Sequence, residues 1–429
     1  MTRRLETTAV AVAVILLGFG IAFVNVARGQ PLDAEVGLTF LVFALAWGGL
    51  LVAIRLLAPR AITYPVVAAA ALGAIGLVQI HRLDPSLAGR QRWWFLVSSA
   101  AAIGLLALLR RTGLATLARY RYLLLVLGGV LLLLPLFPDD GILPIAGRTI
   151  NGSRLWVQIG VGTWSVQFQP GELAKLPIIL FLASLLADRR PIPAVASAGR
   201  FGMADLRRLV PVLVAWSGAF VVLVVQRDLG ASLLLFATFV TMLYAATGHG
   251  AYLVSGAALF AVGAVGAWLA FGHVQTRIEA WLRPFDDPFG TGYQIVQGLY
   301  AMGAGSLTGS GLGLGRPDLI PFAATDFIYA AIAEELGLTG SLSVLALFGL
   351  LVAAGAGIAL RARDQFRSLL AAGITFVIGI QAILIIGGTV RLLPLTGITL
   401  PFMSYGGSSL LANFLLLALL LRVSHEERA

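Results

Sequence analysis

The chain has 429 residues, of which 59% are hydrophobic and 12% are charged, and its formal net charge is +10. Soluble domains carry about 25% charged residues, so this composition excludes an ordinary soluble protein and favours one embedded in a membrane. The sequence contains no cysteine, which excludes disulfides, thiolate metal sites and cysteine nucleophiles.

Uncharged stretches of membrane-spanning length recur along the chain and predict an all-α polytopic membrane protein of about twelve helices. With the N-terminus in the cytoplasm, an even number of spans returns the C-terminus to the cytoplasm. The inner connections then hold most of the arginines, as the positive-inside rule requires, so no nucleic-acid partner is needed to explain the charge. The predicted spans are 7–27, 36–54, 61–80, 93–109, 122–138, 171–187, 209–225, 229–248, 250–272, 326–360, 368–390 and 406–421.

Two long polar connections, 139–172 and 273–326, lie on the extracellular side in this topology. Connections longer than about 15 residues are usually functional or disordered. Both contain tryptophan, and side chains of this type are suited to the membrane interface. The chemistry of the protein is therefore expected on the outer face, where Arg148 and Arg154 in the first loop supply cations for an anionic headgroup.

The only lysine of the chain, Lys175, follows Glu172 by three residues within an apolar stretch. Ionisable groups in a membrane helix are costly and indicate a functional site. One interpretation is that the ammonium binds an anionic ligand together with Arg148 and Arg154. The other is a buried structural ion pair on one helical face. Both hold if the pair positions the lysine for a ligand.

The second outer loop contains adjacent carboxylates, Asp286 and Asp287, between Pro284 and Pro288. Pro288 confines the backbone of the residue before it, Asp287, to extended conformations. A carboxylate held in this way is suited to act as a general base or to bind a cation. A solvated turn is the alternative, because Asp and Pro also favour turns.

The glycine-rich segment 303–315 follows no strand, which argues against a dinucleotide-binding motif and favours a re-entrant turn. Thr325 and Asp326 are predicted to cap the next helix. Within that helix, Glu334 or Glu335 is expected to form an ion pair with an arginine. The four histidines are scattered singly, so a histidine zinc site is not expected.

Six sequence motifs follow one another along the chain: Arg154-Leu155-Trp156, Gln169 to Lys175, Gln226 to Gly230, Asp287 to Gln294, Thr325 to Ile328 with Ala333 to Gly337, and Pro394 to Ser409. They occur in the order found in the RodA/FtsW (SEDS) family, and the chain resembles this family over residues 60–425. The family has a ten-helix core, so the resemblance implies that residues 1–60 are an additional N-terminal two-helix hairpin and that 61–425 are the glycosyltransferase core.

The resemblance implies a peptidoglycan glycosyltransferase that polymerises lipid II at the outer face of the bacterial cytoplasmic membrane. It implies that the growing polyprenyl-pyrophosphate-linked glycan is the donor and that a class B penicillin-binding protein is a partner, with membrane lipids around the protein. Asp287 falls on the family's essential aspartate. Substrate contacts are implied for Lys175, Glu172, Arg154, Arg148, Asp326 and Ser408, and a divalent cation, Mg²⁺ or Mn²⁺, for the pyrophosphate.

Three positions depart from the family's motifs: Gly171 replaces Ser, Arg227 replaces Pro, and Ala324 replaces a histidine that often precedes the Thr-Asp-Phe sequence. Ala324 therefore rules out a role for that histidine in this chain. Short terminal segments favour the elongation function over an FtsW-type role in division. A lipid II flippase or other transporter, and a scaffold that only activates its partner, are the alternatives from other functional classes.

Overall fold

The computed structural model describes residues 3–137, 145–150, 153–161, 164–188 and 228–428, and most of these residues are helical. Two 3₁₀ turns, Leu134–Leu136 and Pro317–Leu319, accompany the α-helices. The α-helices are α1 (Arg3–Ala27), α2 (Ala34–Leu57), α3 (Tyr64–Leu83), α4 (Pro85–Thr112), α5 (Leu114–Arg119), α6 (Arg121–Leu133), α7 (Pro170–Leu186), α8 (Leu229–Thr247), α9 (Ala251–Ala270), α10 (Gly272–Leu282), α11 (Tyr293–Gly305), α12 (Ile328–Arg361), α13 (Gln365–Thr389) and α14 (Gly407–Glu426).

Nine of the described helices are long and apolar enough to cross a membrane: α1 to α4, α8, α9 and α12 to α14. Two shorter helices, α6 and α7, coincide with the predicted spans 122–138 and 171–187. The predicted span 209–225 lies outside the described residues. The all-α polytopic fold is confirmed, because each of these eleven helices overlaps a predicted span.

The first outer loop contains a small antiparallel sheet that the sequence analysis did not predict. Strand β1 (Ile145–Ile150) pairs with β2 (Ser153–Val161), and β2 pairs with β3 (Trp164–Phe168). The sheet lies against the end of α6, where a Cβ added to Gly147 would come within 2.0 Å of the Pro135 carbonyl oxygen. This part of the loop therefore has regular structure and packs beside the membrane helices.

The N-terminal hairpin, α1 and α2, packs directly on the remaining helices. Phe43 and Trp47 of α2 join Phe95 of α4 and Phe414 of α14 in an aromatic cluster, with ring centroids 4.8 to 6.5 Å apart. Helix α1 comes so close to α3 that a Cβ on Gly20 would lie 2.8 Å from Val78. The hairpin thus shares the main hydrophobic core. The division at residue 60 stays a prediction from sequence.

Arg82, at the C-terminal end of α3, connects the hairpin to the second long loop, 273–326. Its Nε donates to Glu335 Oε1 at 2.7 Å, and its Nη2 donates to the Gly315 carbonyl at 2.7 Å. Arg28, just after α1, donates to the carbonyl of Arg82 at 2.9 Å. Arg82 and Glu335 are both buried. The prediction that one of the paired glutamates binds an arginine is therefore confirmed.

The glycine-rich segment returns into the protein and packs on a break in α12. The helix is interrupted at Gly337, whose φ of +65° is in the left-handed region that favours glycine. There the backbone N–H of Gly311 donates to the Glu335 carbonyl at 3.1 Å, and that of Ser310 donates to the Glu334 carbonyl at 2.9 Å. These bonds satisfy carbonyls that the helix break leaves without helical partners.

The capping role predicted for Thr325 and Asp326 is wrong. Helix α12 begins at Ile328, its N-cap residue is Phe327, and no side chain caps it. The Thr325 hydroxyl instead donates to the Phe322 carbonyl at 3.2 Å. The segment is part of an irregular turn whose backbone bonds to the loop before α14, and this arrangement cannot be read from local sequence.

Candidate functional site

Asp287 lies in a tight turn between α10 and α11. Its Oδ2 accepts hydrogen bonds from the backbone N–H of Thr291 at 2.8 Å and from the Thr291 hydroxyl at 3.2 Å. A Cβ added to Gly290 would lie 2.2 Å from this oxygen, and one added to Gly292 would lie 2.0 Å from the Pro284 carbonyl oxygen. The glycines allow the backbone to fold around the carboxylate, and the turn fixes its position.

Asp287 lines a cavity of about 680 Å³ between α9 and α10. Asp286, Glu279 and Arg283 line the same cavity, so one wall is polar and carries both signs of charge. The facing wall is apolar. It consists of Ala264, Val265 and Trp268 of α9. A cavity with these two walls suits a ligand that has a charged headgroup and an apolar chain.

A second cavity, of about 190 Å³, adjoins the first at Thr291, which lines both. Arg277 of α10 and Asp326 lie on its wall, together with Gln294 and Gly397. Arg277 Nη1 lies 3.5 Å from the carbonyl oxygens of Leu395 and Thr396, long contacts for a guanidinium. Thr291, which holds the Asp287 carboxylate, therefore lies between the two cavities.

The loop before α14 positions Asp326. The Ser404 hydroxyl donates to the Thr325 carbonyl at 2.6 Å, and the Tyr405 N–H donates to the Ala324 carbonyl at 2.8 Å. Burial raises the pKa of Asp326 to about 6, although hydrogen bonding to Thr325 and the charge of Arg277 oppose the shift. A carboxylate with a raised pKa on a cavity wall is characteristic of functional sites.

The raised pKa of Asp326 predicts that stability depends on pH. Between the unfolded value, near 3.8, and about 6, the native state binds more protons, so the free energy of unfolding falls as pH rises through this window. We expect the detergent-solubilised protein to melt at a lower temperature at pH 7.5 than at pH 5. Asp326→Asn should melt higher than wild type at pH 7.5 and show a flatter dependence on pH. If Asp326→Asn keeps the slope seen in the exposed-site control Asp286→Asn, another group is responsible.

Glu172 and Lys175 form a buried ion pair at the start of α7. Lys175 Nζ lies 2.8 Å from Glu172 Oε2, and both side chains are at most 6% exposed. Nζ also donates to Gln381 Oε1 of α13 at 3.0 Å, while Gln381 Nε2 donates to the Thr399 carbonyl at 2.7 Å. Lys175 thus links α7, α13 and the loop before α14.

The buried Asp228 connects this pair to the cavity beside Arg277. Its carboxylate caps α8 by accepting from the Ala231 N–H at 2.9 Å. It also interacts electrostatically with Glu172, Lys175 and Arg277. The charged groups from α7 to α10 therefore form one interacting cluster, of which the sequence analysis singled out only the first pair.

The remaining predicted site residues are held in other contacts. Arg148 Nε donates to Gln158 at 2.9 Å on the sheet, and Arg154 Nη2 donates to the Phe137 carbonyl at 2.8 Å. The Ser408 hydroxyl accepts from the Gln169 N–H at 2.9 Å, so it fixes the segment that leads into α7. None of the three lines the Asp287 cavity. Their predicted substrate contacts stay predictions.

Arg277 and Arg283 line the two cavities and were missed as site residues. Arg283 precedes Asp287 by four residues, and Arg277 lies on α10, a short helix within a segment interpreted as loop. Proximity to the acidic pair was the available signal for Arg283. For Arg277 it was the polar character of one face of α10.

The described residues contain no group of three or more His, Cys, Asp or Glu side chains that could hold a metal ion. Mg²⁺, however, is commonly bound through one or two carboxylates together with phosphates of the substrate. Asp286 and Asp287 provide two carboxylates on one cavity. The described donor set therefore fits a divalent cation that is carried by the substrate.

A polytopic membrane protein with an acidic and basic cavity beside its second long loop, 273–326, is the class that the fold and the site define. A family model described as "Cell cycle protein" (FTSW_RODA_SPOVE) matches residues 51–429. The chain belongs to this family. Two of its three departures from the family's motifs lie among the described residues. A Cβ added to Gly171 would meet no atom within 4 Å, and Ala324 takes part in the fold through its carbonyl, which accepts from the Tyr405 N–H. The third, Arg227, lies outside the described residues.

Relatives of known name confirm the expected enzyme class. The chain is 41% identical to peptidoglycan glycosyltransferase RodA of Mycobacterium tuberculosis over 94% of this chain and 86% of that protein. It is 40% identical to stage V sporulation protein E of Bacillus subtilis over 71% and 79%. RodA of Thermus thermophilus has a similar structure, with 27% identity, a TM-score of 0.58, and coverage of 86% of this chain and 98% of that one.

A second solved structure is also similar to this chain, and its description is "Structural coordination of polymerization and crosslinking by a peptidoglycan synthase complex". It has a TM-score of 0.68 and 30% identity, and it covers 86% of this chain and 98% of the matched chain. The family model begins at residue 51, within α2. Most of the N-terminal hairpin therefore precedes the part of the chain that defines the family.

Proposed function

We propose that the chain polymerises lipid II into glycan strands at the outer face of the bacterial cytoplasmic membrane. The observation that carries the proposal is the Asp287 carboxylate, which Thr291 holds on a cavity with one charged and one apolar wall. The 41% identity to RodA supports a role in cell elongation. Similarity to FtsW of Alkalilimnicola ehrlichii is lower, 36% over 83% of this chain, so an FtsW-type division role is the second candidate.

In the proposed reaction, Asp287 takes the proton from the acceptor hydroxyl of lipid II as the hydroxyl oxygen attacks the anomeric carbon of the donor. The bond from that carbon to the pyrophosphate breaks with inversion, and the pyrophosphate leaves with the bonding electron pair. Thr291 orients the carboxylate by donating to its Oδ2, so Oδ1 is the oxygen proposed to accept the proton.

Cations that line the cavities stabilise the negative charge on the departing pyrophosphate. Arg283 lies on the Asp287 cavity and Arg277 on the adjoining one, which makes them the first candidates. Arg148, Arg154 and Lys175 were predicted for this role from sequence. A divalent cation, when bound between Asp286, Asp287 and the substrate phosphates, would supply further positive charge.

The proposed orientation places both termini in the cytoplasm. It can be tested with single introduced cysteines, because the chain has no native cysteine that would react with a thiol reagent. Thr308 is exposed on the second outer loop, and Thr112 is exposed at the end of α4 beside Arg110 and Arg111. In intact cells, Thr308→Cys should react with a membrane-impermeant thiol reagent and Thr112→Cys should react only after lysis. The reverse pattern would place the candidate site inside the cell.

The function is tested by incubating the purified protein with lipid II and separating the products on a gel. Glycan strands formed by the protein alone support polymerisation. Strands formed only when a penicillin-binding protein that can itself polymerise glycan is added would support the scaffold alternative. Movement of lipid II between leaflets of a vesicle without polymer would support a flippase. The proposed transpeptidase partner is a class B penicillin-binding protein.

A further inference from the structure

The inner end of the N-terminal hairpin contains a basic cavity that the proposed polymerase reaction does not use. This cavity is wide open to the protein surface, has a volume of about 530 Å³, and is lined by exposed residues: Arg4, Thr7 and Thr8 of α1 and Arg55 of α2. None of the described residues that line it is acidic. The two arginines come from different helices and line the same cavity.

The hydroxyl groups of the cavity help to define its geometry. Arg55 Nη2 donates to the Thr7 hydroxyl, and the Thr8 hydroxyl donates to the Arg4 carbonyl at 2.9 Å. Arg55 is thereby held toward α1, and its side chain lines the cavity beside the two threonines. Guanidinium forks and hydroxyl donors are the groups that bind phosphate oxygens.

The surroundings of the cavity indicate a lipid ligand. Leu5, Val52 and Leu56 lie close in sequence to the lining residues, and their side chains are 53%, 55% and 66% exposed. These exposed apolar side chains belong to helices that span the membrane, so lipid chains cover them. A ligand with its phosphate in the cavity would have its acyl chains along this apolar surface. In the orientation proposed above, the cavity opens to the inner leaflet, where anionic lipids attract basic groups.

We propose that Arg4, Arg55, Thr7 and Thr8 form a binding site for the phosphate headgroup of an anionic phospholipid of the inner leaflet. The site belongs to the additional hairpin, which precedes most of the family-defining segment. Because α2 also packs in the core through Phe43 and Trp47, a lipid bound at its inner end stabilises the hairpin against the rest of the protein.

The test is native mass spectrometry of the full-length, delipidated protein titrated with phosphatidylglycerol, with phosphatidylcholine or with inorganic phosphate. We expect phosphatidylglycerol to bind and raise the melting temperature, and the double variant Arg4→Gln with Arg55→Gln to bind about tenfold more weakly. The matched control, Arg361→Gln with Arg363→Gln, removes the same charge from exposed positions at the inner end of α12 and should bind as wild type does.

Three results would overturn the proposal. Equal losses in the double variant and its control would show that only diffuse surface charge matters. Equal binding of phosphatidylglycerol and phosphatidylcholine would exclude selection for an anionic headgroup. Stabilisation by inorganic phosphate as large as that by phosphatidylglycerol would identify a site for a soluble anion. Polymerisation of lipid II by the double variant, measured in parallel, confirms that it is folded and keeps this test separate from that of the proposed function.

Discussion

Asp287→Asn should abolish glycan polymerisation while the protein still folds and binds lipid II. The substitution preserves the shape of the side chain and the acceptor for Thr291, but an amide cannot take a proton from the acceptor hydroxyl. A general base contributes about 10²–10⁴-fold to a rate, so the loss should be evident on a gel of glycan products. Melting temperature should change little, because the Asp287 side chain is exposed.

Asp286→Asn is the matched control for this variant. Asp286 is adjacent, exposed and on the same cavity, but it does not accept the hydrogen bonds from Thr291 that orient its neighbour. It should retain much of the wild-type rate, because Asp287 stays oriented and one carboxylate together with the substrate phosphates is enough to bind a divalent cation. Polymerisation by Asp287→Asn at the wild-type rate would exclude Asp287 as the base and direct attention to the flippase and scaffold alternatives.

Lys175→Met should reduce both the yield of folded protein and polymerisation, the latter by well over tenfold. The change leaves the Glu172 carboxylate buried without its cation and removes the donor to Gln381. Breaking a buried pair from one side costs about 3–5 kcal/mol. Thermal unfolding in detergent and the glycan gel assay measure the two effects separately.

The double variant Glu172→Gln with Lys175→Met distinguishes a structural role from a direct one. We expect it to regain stability and much of the activity, because Lys175 is buried and bonded to two side chains, as a positioning residue would be. A double variant that is stable but still more than tenfold less active would instead support direct binding of pyrophosphate by the ammonium group.

The transmembrane helices were predictable because hydrophobicity over about 20 residues is a strong and local signal. Helices α8 and α13 lie within a few residues of the predicted spans 229–248 and 368–390. The ion pair of Glu172 and Lys175 was predictable because its signal is also local: a spacing of three residues places both side chains on one helical face.

The rest of the site depends on contacts between distant segments. Asp326 looked like a helix cap because Thr-Asp before an apolar stretch is typical of one, but Ser404 and Tyr405 hold the segment in another conformation. The only local signal for Arg277 is the polar character of one face of α10, which does not single out this residue. Its importance comes from the approach of α10 to the loop at Leu395 and Thr396, more than 110 residues away. The sheet likewise depends on pairings that a single sequence does not reveal.

The bond between Arg82 and Glu335 also bears on how the chain is made. The two residues are 253 positions apart, so the ribosome completes α3 long before it reaches the carboxylate that neutralises Arg82. At 5–20 residues per second the interval is roughly 10 to 50 s. During that time a nascent chain holds an arginine at the outer end of α3 without its final counter-charge. The hairpin residue Arg28, already synthesised, donates to the Arg82 carbonyl and brings a second positive charge to this end of α3, so the ion pair of Arg82 can form only after Glu335 of α12 has been synthesised.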